Sequence, residues 1–214
     1  MPKLEVVAET DSVWRQLRAS AEAASREEPQ LGSQMNAVIL SHDDLAGALS
    51  FQIARKLADP EMSAMSVREV CLSAFAADPA MVAAAEADLR AVAERDPAIR
   101  NLLQPFLYFK GFQALQGWRV AHWLWGQGRE TLAFHFQSRI SELFQLDIHP
   151  AARLGQGLFL DHGTGIVIGE TAVVGDDVSM LHSVTLGGTG AERGDRHPKI
   201  GKGVLLGAGA KVLG

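Results

Sequence analysis

Residues 165–188 read GIVIGETAVVGDDVSMLHSVTLGG. Ile168, Val174, Met180 and Leu186 stand six residues apart, and Ala172, Val178 and Val184 each follow the preceding member by four. The same step runs through Ile148, Leu154 and Leu160 upstream, with Ala152, Leu158 and Thr164 in the second position. It resumes downstream at Ile200, Leu206 and Val212, accompanied by Val204 and Ala210. Glycine directly follows Leu154, Ile168, Val174, Ile200 and Leu206. A helix or coiled coil repeats at 3.5 or 3.6 residues and does not tolerate glycine at this density. A six-residue period with inward aliphatics instead predicts a parallel β-helix. Each hexapeptide makes one short strand and a turn, three close a triangular coil, and glycines serve the tight corners.

Two steps break the period. Leu160 to Ile168 spans eight residues, and Leu186 to Ile200 spans fourteen, two more than two repeats. The second break contains TGAERGDRHP (Thr189–Pro198), which reads as a polar excursion from the coil. A solenoid exposes unpaired backbone at its ends and needs a cap or partner there. The repeat stops at Gly214 without a polar capping segment, which leads us to expect further coils and a tail in the natural protein.

Upstream of residue 147 the pattern changes. Only six of the 21 glycines lie there, whereas all four tryptophans do. Apolar residues at helical spacing predict helices over 12–28 and 43–59, the latter through Leu45, Leu49, Ile53 and Leu57. Ser66 and Glu69 fit a capping box, and Asp78-Pro79 and Asp96-Pro97 fit helix starts. Helices over 105–127 and 131–145 complete a bundle, with Trp118, Trp123 and Trp125 as packing residues. The fold class expected is therefore α + β: a helical domain over 1–146 that caps a left-handed parallel β-helix over 147–214.

The formal net charge of −5, without a basic stripe, excludes a general nucleic-acid binder. The single cysteine, Cys71, lies in an apolar helical pattern and reads as a buried small hydrophobe. No leader-like or membrane-length apolar run is present, so a cytoplasmic protein without membrane contact is expected. Candidate chemistry concentrates in the second half: Asp147-Ile-His149, Asp161-His162, His182 and Arg196-His197. Aliphatics fill the coil interior, so these polar side chains must face outward or sit at corners.

The runs DIHPAARLGQGLFLDHGTGIVIGETAVVGDDVSMLHSVTLGGTG (Asp147–Gly190) and GDRHPKIGKGVLLGAGAKVLG (Gly194–Gly214) resemble the serine O-acetyltransferases. RDPA (Arg95–Ala98) and LYFKGFQALQGWRVAHWLW (Leu107–Trp125) continue the likeness, which extends from about residue 35. The resemblance implies transfer of acetyl from acetyl-CoA to the hydroxyl of L-serine, within L-cysteine biosynthesis. It makes His162 the general base and Asp147 its orienting carboxylate. Asp96, Asp161 and His162 would meet the amino acid, with Arg196 gripping its carboxylate and His197 beside it. CoA would lie in a groove against Gly187, Gly188, Thr189, Gly207, Ala208 and Gly209. Direct transfer is expected, with acetyl-CoA as co-substrate and no metal.

The family pattern also implies trimers paired into hexamers, L-cysteine as feedback inhibitor, and a C-terminal tail that docks into O-acetylserine sulfhydrylase and is absent from this chain. In such an assembly the 189–198 excursion would reach a neighbouring subunit's Asp161-His162. Three rival readings stand beside this one. A metalloenzyme similar to the γ-class carbonic anhydrases would use His162 and His182, one coil apart, as metal ligands. Another hexapeptide acyltransferase would act on a sugar nucleotide or xenobiotic. A catalytically silent scaffold would only bind a sulfhydrylase.

Overall fold

The computed structural model describes residues 12–190 and 193–214. Its first part is helical: α1 (Val13–Glu27), α2 (Gly32–Met35), α3 (Leu45–Leu57), α4 (Ala64–Ala77), α5 (Ala80–Arg95), α6 (Leu103–Tyr108), α7 (Lys110–Gly126) and α8 (Glu130–Phe144). The starts follow local capping chemistry. The Ser12 hydroxyl accepts from Arg15 N, and Asp44 accepts from Gly47 N at 2.8 Å. Asp78 Oδ1 accepts from Ala80 N at the start of α5.

Three helix expectations change. Ser63, not Ser66, caps α4: its hydroxyl accepts from Ser66 N at 3.2 Å. Asp96 ends α5 rather than starting a helix, and its carboxylate accepts from Ala98 N in the following turn. The single helix expected over 105–127 is two helices, broken at Phe109, whose backbone is extended (φ −83°, ψ 109°). The break sets α7 directly against the β-helix: a Cβ on Gly111 would overlap the carbonyl oxygen of Leu160.

Ten short strands follow: β1 (Leu146–Ile148), β2 (Arg153–Leu154), β3 (Phe159–Leu160), β4 (Ile166–Ile168), β5 (Val173–Val174), β6 (Ser179–Met180), β7 (Thr185–Gly187), β8 (Lys199–Ile200), β9 (Leu205–Leu206) and β10 (Lys211–Leu213). They form three parallel sheets, ordered β1-β4-β7-β10, β2-β5-β8 and β3-β6-β9. The register stacks the periodic residues in columns: Ile148, Ile168, Leu186 and Val212; Leu154, Val174 and Ile200; Leu160, Met180 and Leu206. Six of the ten are buried, Ile168 1 % and Leu186 0 % exposed, while Leu154, Ile200, Leu206 and Val212 are half-buried. Two corners use left-handed backbone in every described coil: Gly157, Asp177 and Gly203 at one, Gly163, Ser183 and Gly209 at the other.

Both irregular steps are loops at corners. The extra residues between Leu160 and Ile168 form the 161–165 turn, and those after Leu186 leave the coil before Lys199-Ile200 pairs with Val173-Val174. At the first of these Thr164 departs from its expected inward place. It is half-buried and hydrogen-bonded to Lys110 Nζ, while Ile166, 0 % exposed, fills the interior.

The helices close the lower end of the coil through a buried polar cluster. The Asp88 carboxylate, 0 % exposed, accepts from Arg119 Nη2 (2.7 Å), Gln116 Nε2 (3.0 Å) and Leu158 N (2.9 Å). Arg119 in turn donates to Gly155 O, and Trp118 Nε1 donates to His149 O. One acid thereby pairs a buried guanidinium and satisfies a strand-edge amide that has no coil beneath it. One apolar cluster runs without interruption from Val13 in α1 to Leu186 in β7. Cys71 is buried within it, and burial pushes its thiol up to about 12. No single described helix is long and apolar enough to cross a membrane.

Asp88→Ala leaves Arg119 buried without its counter-charge and the Leu158 amide unsatisfied. The expected loss is about 3–5 kcal/mol in urea unfolding, with Asp88→Asn less damaging because it keeps an acceptor.

Candidate active site

The loop from Asp161 to Gly165 carries the first half of the site. His162 adopts the left-handed region (φ 57°) and is followed by Gly163 (φ 70°). Histidine enters this region more readily than most non-glycine residues. Gly163 lies where three elements meet: a Cβ there would approach the Leu146 side chain at 3.1 Å and Gly111 Cα at 3.3 Å. Wedged in this way, the turn projects the imidazole outward, its side chain 76 % exposed. His162 Nε2 lies 3.8 Å from Asp161 Oδ1, and the His182 ring stands one coil above at 6.2 Å, edge-on.

Asp147 points outward from β1 between buried Leu146 and Ile148. Its carboxylate accepts from Gln137 Nε2 of α8 at 2.7 Å, and the acid within ion-pair distance of His162 among the described residues is Asp161. Asp96 lies in the turn after α5. Ile99 of that turn packs with Val92 and Phe159 in a small apolar cluster, bringing the turn onto the strand that leads into Asp161-His162.

Arg196 and His197 form the second half, at a different corner. Arg196 Nη2 donates to Glu170 Oε2 at 2.7 Å, and this bond holds the Glu170 carboxyl below its ordinary range. The Thr171 hydroxyl oxygen accepts from the backbone amides of Arg196 (3.0 Å) and His197 (3.1 Å). The His197 ring lies against Gly169, where a Cβ would overlap its Cδ2 and Nε2. Burial lowers the His197 pKa, and the Arg196 charge lowers it further. Lys199 Nζ adds a bond to Thr171 O at 2.7 Å.

The two halves flank one strand. His162 precedes β4 and the Gly169–Thr171 seat follows it, so within one chain they stand at opposite edges of the sheet that holds Asp147. At about 3.3 Å per residue, three strand residues alone separate them by about 10 Å. A cleft of about 400 Å³ beside the second half is lined by Trp125, Ala151, Arg153, Glu170, Thr171 and Asp195. A cleft of about 500 Å³ between α5, α7 and the corner after β2 contains none of the residues expected at the site.

Among the residues expected to meet CoA, Gly188 has a local reason to be glycine: a Cβ would come 2.8 Å from Arg196 O. Gly209 occupies a left-handed corner (φ 77°), and Gly207 faces open space. Gly187 ends β7 beside Leu213, with Thr189 next in the excursion, and Ala208 lies exposed in the corner before β10. Among the described residues, the cluster of three potential metal donors lies elsewhere, at Asp59, Glu61 and His135, with Arg139 Nε 3.3 Å from Asp59 Oδ2.

Sequence reasoning passed over Gly169, Glu170, Thr171 and Gln137. The first three occupy an ordinary corner of the repeat, GET, and their role arises only when Arg196, His197 and Lys199 return to them. Gly169→Ala is expected to drive the imidazole out of its seat while the apolar columns stay intact. A crystal structure of the variant, or the His197 resonances in a ¹⁵N-histidine spectrum, measures this.

The family model described as serine acetyltransferase, N-terminal, matches residues 13–117. A serine acetyltransferase of Salmonella typhimurium is 55 % identical over 206 residues, 96 % of this chain and 76 % of the relative. The soybean enzyme, solved in complex with serine, superposes with TM-score 0.92 at 51 % identity, covering 94 % of this chain and 83 % of that one. A serine acetyltransferase solved in complex with cysteine superposes with TM-score 0.92 at 50 % identity, covering 93 % and 83 %. With identity this high across almost its whole length, the chain belongs to the serine acetyltransferase family.

Proposed function

We propose that this acetyltransferase moves the acetyl group of acetyl-CoA to the hydroxyl of L-serine, with His162 as general base and direct attack on the thioester. The observation that carries the reading is His162 itself. A left-handed turn wedged by α7 and β1 holds an exposed imidazole beside a carboxylate, where a small alcohol can reach it.

In this reading His162 takes the serine hydroxyl proton as the oxygen attacks the thioester carbonyl. A tetrahedral oxyanion forms, backbone amides or a cationic side chain stabilise it, and its collapse releases CoA as the thiol, which takes the proton that His162 holds and so restores the base. Asp147 and Asp161 orient the imidazole and stabilise its charged form. Asp96 and Asp161 attract the serine ammonium, and Arg196 with His197 binds its carboxylate. The glycines at 187, 188, 207 and 209, with Thr189 and Ala208, line the CoA path.

The placement of His162 and Arg196 at opposite edges of one sheet supports an assembly in which one subunit's 189–198 excursion reaches the His162 turn of the next. The helical part, 1–146, would join trimers into hexamers, with the β-helix, 147–214, as the catalytic part. The serine and cysteine complexes of related enzymes support serine as substrate and cysteine as an inhibitor competing for the same contacts. A cytoplasmic location completes the proposal.

CoA thiol release from acetyl-CoA with serine, homoserine or glucosamine phosphate tests it: release is expected with serine, and its absence refutes the reading. His162→Asn keeps a residue that tolerates positive φ and removes the base. Its kcat is expected to fall about 10²- to 10⁴-fold with unfolding unchanged, and full activity would move the base elsewhere. Arg196→Ala is expected to raise KM for serine about tenfold or more, in line with the loss of a charge-assisted hydrogen bond.

A further inference from the structure

The hydrogen-bond count around Thr171 assigns a protonation form to His197. A threonine hydroxyl has two acceptor positions and one hydrogen to donate. Both acceptor positions of Thr171 Oγ1 are taken, by the amides of Arg196 (3.0 Å) and His197 (3.1 Å). The hydroxyl hydrogen then has two acceptors in range, His197 Nδ1 at 2.8 Å and the Asp195 carboxylate. The backbone N–H of Thr171 donates to the same Nδ1 at 3.2 Å. An imidazole nitrogen that accepts a hydrogen bond from a backbone N–H carries no proton of its own, so the proton of the neutral ring sits on Nε2.

We propose that Thr171 is a positioning residue that fixes His197 as the neutral Nε2–H tautomer, a hydrogen-bond donor toward an anionic oxygen of the bound amino acid. The assignment of His197 as a substrate contact rests on the function proposed above; the tautomer does not. Glycines make room for the Nε2 edge. A Cβ on Gly169 would overlap Nε2, and one on Gly188 would stand 3.4 Å from it. Protonating Nδ1 would break the bond from the Thr171 amide, and burial disfavours the charged ring in the same direction. Charged groups of both signs surround His197: Arg196 and Lys199, against Glu170 and Asp195. In this form His197 has no lone pair free on Nε2. It therefore cannot serve as a second base, which leaves proton abstraction to His162.

The test uses the full chain labelled with ¹⁵N-histidine, with the His197 signal identified by its loss in His197→Gln. The wild-type spectrum at neutral pH is expected to show Nδ1 as the unprotonated nitrogen and Nε2 as the protonated one. The opposite pattern, or a mixture, overturns the proposal without recourse to any Thr171 variant. Thr171→Val removes the hydroxyl at nearly constant shape. It is expected to give mixed tautomers and a KM for serine raised about tenfold, with kcat changed less. Thr171→Ser restores the hydroxyl and is expected to restore both. An unchanged tautomer in Thr171→Val also overturns the proposal. If wild-type enzyme shows no serine turnover, the functional reading fails, while the spectrum still decides the role of Thr171.

Discussion

A β-helical coil cannot lengthen inside a strand without turning its inward side chains out of their columns. Ile148, Ile168, Leu186 and Val212 stack one over another, and each inner strand takes its hydrogen bonds from the coils above and below. Residues beyond the six-residue period therefore leave at a corner and become loop. This chain has two such places, the 161–165 turn and the excursion before Lys199, and each carries one half of the candidate site. Both halves of the candidate site begin where the repeat is broken, because there a longer polar loop can leave the coil without disturbing its interior.

The helical part answers a second constraint of the same architecture. The first coil has no coil beneath it, and its amides and carbonyls need partners. Asp88, Arg119, Trp118 and His122 supply them from α5 and α7, with His122 Nδ1 2.7 Å from Pro150 O. Burying an aspartate with an arginine is a costly way to gain stability, but it ties the helices to one position on the coil. That position matters for the site, since the start of α7, at Lys110 and Gly111, supports the turn that presents His162.

The six-residue columns were legible because inward positions tolerate one class of side chain, so composition repeats with geometry. Helices over α1, α3 and α8 were legible to within two residues, since their apolar faces are long and periodic. Phe109 was not, because nothing in its local sequence forbids helix; contact of Gly111 with Leu160 decides it. Ser63 displaced Ser66 as a cap because either hydroxyl fits locally and the position of the first α4 turn selects between them. Thr164 fitted the repeat by spacing alone, yet Lys110 of the helical part holds it out of the interior.

The sequence by itself determined the β-helix, its two irregular steps and the residue types available at them, because period and side-chain class are local properties. His162, Asp161, Arg196 and His197 could be named on that basis and on family resemblance. Tertiary structure alone decided what holds them. Glu170 and Thr171 lie about 25 residues from the pair they anchor, and Gln137 lies ten from Asp147. Contacts of that range leave no periodic trace, since they depend on where a loop returns after leaving the coil.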